Sequence, residues 1–158
     1  MKEAIEEFRQ VAAGYCALVE APQPDRLEYQ EALMEMLPRL YLAASVLPHV
    51  EPETEELLPD RPTNDEWFAV LKRLQSAIGP GDEYRHVEPY PVKSREKPIR
   101  WSISDDLADI WKDLKQGLLA LETGTPEADV VFHWRLEFTS HWGRHAVDAL
   151  AAIHKFYW

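Results

Sequence analysis

Two histidines near the end of the chain, His141 and His145, stand four residues apart. On a helix that spacing puts both rings on one face, a turn apart, where two ring nitrogens can meet one metal ion. Glu137 lies a turn before them and Asp148 almost a turn after. A second set lies upstream, Asp106, Asp109 and Asp113, at i, i+3 and i+7. These too share one helical face. Packed antiparallel, the two helices would bring three carboxylates and two imidazoles together. The chemistry of such a set is divalent-metal binding, with Asp106, Asp109, Asp113, His141 and His145 as ligands. The ion would acidify a bound water, and Glu137 would serve as general base. A metal-dependent hydrolase of a small phosphorylated substrate is therefore one functional reading, with a divalent metal as cofactor.

The competing reading of the same residues is structural. Asp105 and Asp106 sit in the first turn of their helix, where its dipole favours negative charge. Asp109 can pair with Lys112 and Arg144 with Asp148 on their own helices. His141, Arg144, Asp148 and one aspartate then form a half-buried polar network between helices. No established motif decides for the metal. His-Glu-x-x-His, Glu-x-x-His and an adjacent His-Asp pair are all absent from this segment. The glycine cluster Gly79-Pro80-Gly81 follows a helix rather than a strand, so it is not a phosphate loop. The first functional reading is accordingly a non-catalytic helical domain that acts through protein contacts, either with a partner or by self-association. Phe156, Tyr157 and Trp158 would be its interaction residues, because three aromatics in one terminal turn cannot all face one core.

The elements that must position these groups are helical. Ile5, Phe8, Ala12, Tyr15 and Val19 recur at steps of three and four in the first helix. A second runs from Arg26 to about Val46, with Asp25 as its cap. Pro38 falls inside it and predicts a kink or a break. Thr63 and Glu66 form a capping-box pattern before a third helix, which Gly79 stops. The stretch from Gly79 to Trp101 has several prolines and no helical period, and reads as a long irregular loop. Ser102 caps a fourth helix whose apolar face runs from Ile103 to Leu121, with Gly117 on its flank as a point of close helix approach. A fifth runs from Pro126 toward the C-terminus. Its core stripe, at 100° per residue, is Trp134, Phe138, His145, Ala149, Ala152 and Phe156, with His133 and His154 pointing away. The class is all-α, a single-domain bundle of about five helices spanning 1–158.

Composition agrees. The chain has 158 residues, 46% of them hydrophobic and 28% charged, with one cysteine and a net charge of −11. That length supports one core without a disulfide or a structural metal. The acidity repels phosphate backbones and anionic bilayers, so neither nucleic acid nor membrane is an expected partner. No apolar run has signal-peptide or membrane-span length, and the expected location is cytoplasmic.

The pair of motifs "DDLADIWKDLKQGL" and "WRLEFTSHWGRHAVDALAAIH" resembles a group of small bacterial all-helical proteins classed as a domain of unknown function. The likeness is clearest over 101–154 and extends more loosely to "YCALVE" and "LMEMLPRLYLAA". It implies an all-helical fold. It implies no activity and transfers no site residue.

Overall fold

The computed structural model describes residues 2–22, 24–56, 58–59, 62–87 and 97–157, the side chain of Tyr157 excepted. The chain order is α1 (Lys2–Glu20), α2 (Arg26–Ser45), α3 (Asn64–Ile78), β1 (Glu83–His86), β2 (Ile99–Ser102), α4 (Ile103–Glu122) and α5 (Glu127–Glu137). A single π-helical turn, Phe138–Trp142, then joins α5 to α6 (Gly143–Tyr157). The architecture is an all-α bundle, as the periodicity predicts.

α4 is the central helix. It packs against α1, α3, α5 and α6, while α1 and α6 also hold α2. Its buried residues, Ile103 to Ala120, spread over most of its circumference, which is what contact on several sides requires. The predicted stripe of α1 is buried in full: Ile5, Phe8, Ala12, Tyr15 and Val19. α4 and α5 approach closely at Gly117. A Cβ there would lie 2.2 Å from Nε1 of Trp134, a fully buried ring that donates to the Leu114 carbonyl at 3.3 Å. The predicted caps are formed. Asp25 accepts from the Glu28 amide, Thr63 and Glu66 complete a capping box, and Ser102 accepts from the Asp105 amide.

Three local expectations are corrected. Of the two outcomes expected at Pro38, the break does not occur: α2 runs unbroken from Arg26 to Ser45. An interior proline costs about 3 kcal/mol. Burying Leu33, Leu37 and Leu40 on one face returns about 1.5–3 kcal/mol for each side chain, so packing carries the helix through.

Second, the loop expected to be irregular contains a two-stranded antiparallel sheet, with Glu83 opposite Ser102, Tyr84 opposite Trp101, Arg85 opposite Arg100 and His86 opposite Ile99. Each strand has only four residues. Tyr84 and His86 turn inward while Glu83 and Arg85 face outward, but four residues give too little alternation to stand out in the sequence.

Third, the π turn carries one residue more than an α-turn of the same rise, and this shifts the buried face beyond it. His145, Ala149 and Ala152 are buried as expected and Ala146 and Ile153 join them, while Phe156, also expected on the core stripe, is 49% exposed. His133, expected at the surface, is half-buried, and His154 is exposed.

Candidate metal centre

α4 turns Asp106, Asp109 and Asp113 toward the π turn and the start of α6. Asp106 is fully buried, Asp113 nearly so, and Asp109 partly exposed. His145 on α6 is buried, and its Nδ1 lies 2.7 Å from Asp106 Oδ1. His141, in the π turn, is half-exposed, and its Nδ1 lies 2.7 Å from Asp113 Oδ2. A carboxylate accepts, so each imidazole donates its Nδ1–H, and in the neutral form of the ring the Nε2 lone pair is left open. Both Nε2 atoms point toward one oxygen: Asp109 Oδ2 is 3.8 Å from that of His145 and 4.0 Å from that of His141. The rings are 4.9 Å apart between centroids and inclined at 75°. Asp109, His141 and His145 thus offer one ligand atom each within 4.8 Å of one another. Asp113, Glu137 and His141 form a second such group.

This arrangement sits in a chain whose whole length is accounted for by one family. The sequence profile described as Domain of unknown function (DUF5063) matches residues 1–158. The chain belongs to the DUF5063 family. No curated protein matches it. The DUF5063 chain is similar to the crystal structure of protein BF1032 from Bacteroides fragilis, with 28% identity over 96% of this chain and 93% of that one, at a TM-score of 0.81. The resemblance carried by the α4 and α6 motifs therefore holds, and so does the all-helical fold it implies. Among its described residues, no helix is long and apolar enough to cross a membrane.

The electrostatics of the DUF5063 site follow from crowding. The hydrogen bond to Asp113 raises the His141 pKa above the usual imidazole value, against an opposing effect of burial. Burial raises Asp106, although hydrogen bonds from His145 and Tyr84 pull it back. Glu137 is raised by burial and then by the neighbouring Asp113 carboxylate. These shifts are the expected mark of carboxylates held together in a partly dry place.

Several participants have no signature in the sequence. Tyr84 on β1 donates to Asp106 Oδ2 at 2.6 Å, and Trp67 on α3 donates its indole N–H to Asp109 Oδ1 at 2.9 Å. These partners lie 22 and 42 residues away in the chain. Arg144 and Asp148, the other expected members of the polar network, border the site. Arg144 is exposed and lies over the Trp101 ring, 5.4 Å from its centroid. Asp148 faces His86, 3.4 Å away. Phe156 lines a cavity of about 530 Å³ with Tyr84, His86 and Asp148. The side chain of Tyr157 and the whole of Trp158, also expected as interaction residues, lie outside the described residues.

Proposed function

We propose that this domain binds a divalent transition-metal ion through Nε2 of His141, Nε2 of His145 and the Asp109 carboxylate. The observation that carries the reading is the orientation of the two rings. Each has its Nδ1–H fixed by a buried or nearly buried carboxylate, so both bare nitrogens converge on Asp109. A carboxylate behind the far nitrogen is the usual support for a metal-bound histidine, because it sets the tautomer and raises ligand basicity. Asp106 and Asp113 then act as supports, not as ligands of this ion. Imidazole with carboxylate suits zinc and its first-row neighbours. A tetrahedral ion with bonds of about 2.0–2.2 Å holds its ligand atoms about 3.3–3.6 Å apart, so the two gaps between Asp109 and the imidazoles, 3.8 and 4.0 Å, would close by a few tenths of an ångström on loading. Three protein ligands leave a position for water, and the exposure of His141 puts that position toward solvent. A water acidified there is the nucleophile of hydrolytic chemistry, which makes hydrolysis the reaction class for this centre.

The test is metal content. Protein purified without chelator and analysed by plasma mass spectrometry should carry near-stoichiometric metal, and His141→Ala with His145→Ala should carry none while keeping its circular dichroism. Failure to retain zinc or cobalt after equilibrium dialysis overturns the reading.

A second reading, action through protein contacts, is supported by the 49% exposure of Phe156. Under it, Phe156→Ser lowers the mass seen by light scattering; a monomer before and after the change refutes self-association through this residue.

A further inference from the structure

We propose that the cavity between β1 and the last turns of α6 is a binding site for a small organic anion with an apolar body. The inference stands apart from the metal reading, and none of the three proposed metal ligands lines this cavity. It holds about 530 Å³, within the range of about 300–1,000 Å³ usual for small-molecule sites. Its walls divide by chemistry. Phe156 and Val87 are large apolar side chains left 49% and 58% exposed, and both line it together with Ala152. The imidazole of His86, only 6% exposed, adds a buried polar group to the wall, held against the Trp101 ring at 4.6 Å between centroids.

Charge decides the class of ligand. Four cationic side chains, Arg85, Lys97, Arg100 and Lys155, line this cavity and the adjoining outer face of the hairpin, against two carboxylates, Glu83 and Asp148. The chain as a whole carries a net charge of −11, so a locally basic face runs against its composition. Both carboxylates are engaged. Glu83 pairs with Arg100, and Asp148 lies 3.4 Å from His86. Arg85 stands directly opposite Arg100 in the strand register, and like charges so placed repel. Arg100 has Glu83 to offset that repulsion. Arg85 and Lys155, the two cations that line the cavity itself, have no side-chain hydrogen bond or ion pair among the described residues.

An anionic head group bound here gains both charges, and its apolar body covers Phe156 and Val87. The first effect supplies charge-assisted contacts, and the second takes apolar surface out of water. A neutral ligand of the same shape gains only the second. A cationic one is opposed by Arg85 and Lys155.

The test is isothermal titration calorimetry with octanoate on the full chain. Octanoate should bind saturably at one site. Octylamine and octanol should bind at least about tenfold more weakly, a difference of about 1.4 kcal/mol. Arg85→Gln with Lys155→Gln should weaken octanoate binding by at least about tenfold while the circular dichroism stays that of the wild type. Lys2→Gln with Lys72→Gln removes as much charge from exposed positions on α1 and α3 and should leave binding unchanged. No saturable octanoate binding overturns the proposal, and so does octylamine binding as tightly as octanoate. Equal weakening by the two double substitutions also overturns it, because the effect would then belong to net charge and not to this cavity. The head-group comparison on the wild type decides independently of any variant.

Discussion

Gly143→Ala is the substitution that tests the architecture of the centre most directly. Gly143 closes the π turn, and its amide hydrogen-bonds the Phe138 carbonyl five residues back. A Cβ at this position would lie 2.3 Å from that same carbonyl oxygen. Ordinary contact begins at 3.4 Å, so 3.4 − 2.3 = 1.1 Å must be found. The obstruction is backbone, and the Phe138 ring, 3.0 Å from the same Cβ, blocks the other side. Overpacking of this kind costs about 1–3 kcal/mol, and weakening the turn's hydrogen bond adds about 1 kcal/mol. Alanine returns up to about 1 kcal/mol through its helix propensity. The net expectation is a loss of about 1–3 kcal/mol in urea unfolding. Gly14→Ala makes the same chemical change in α1, where the new Cβ would meet only the Met36 methyl at 3.6 Å. It should stabilise by about 0.5–1 kcal/mol. Because His141 lies inside the turn and His145 just beyond it, Gly143→Ala should also weaken zinc binding, whereas Gly14→Ala should not. A Gly143→Ala protein as stable as the wild type with unchanged zinc affinity would refute the reasoning.

Two further outcomes are expected. Tyr84→Phe removes one of the two hydrogen bonds to the buried Asp106 carboxylate, which should cost about 1.5–3 kcal/mol; a change below about 0.5 kcal/mol in denaturant unfolding would show that the bond carries nothing. Asp129 at the start of α5 accepts from the Thr54 hydroxyl and from the amides of Glu53 and Thr54, and these bonds hold its carboxyl below the usual value. Its stabilisation is therefore present above the unfolded carboxyl value near 3.9 and lost as pH falls through the lower folded one. The stability gap between wild type and Asp129→Asn should stay level near neutrality and shrink below about pH 4; a gap that grows with acid would reverse the sign.

The fold was largely legible because helices announce themselves locally. Steps of three and four in α1 and α4, and caps at Asp25, Thr63 and Ser102, are each contained in a few adjacent residues. The facing of Asp109 and Asp113 toward His141 and His145 was legible for the same reason, since each set recurs at helical spacing within a few residues. The supports were not. Tyr84 and Trp67 reach the aspartates from other elements, and only the folded chain sets those distances. The π turn was invisible too. A continuous 100° step still places His145, Ala149 and Ala152 on the buried face, but its phase drifts beyond the π turn, and Phe156 was assigned to a core that Ile153 occupies.

The sequence separations carry a consequence of their own. The bonds that orient the two imidazoles join residues 28 and 39 apart, whereas those tying α1 to α4 join residues 91 and 92 apart. The entropy of closing a chain segment grows with the logarithm of its length, so closing 28 residues is cheaper than closing 92 by about 1 kcal/mol. The helical hairpin that bears the aspartates and histidines can therefore close on itself more readily than α1 can close over it. Chain entropy makes the centre the part of the molecule whose assembly depends least on the first helix.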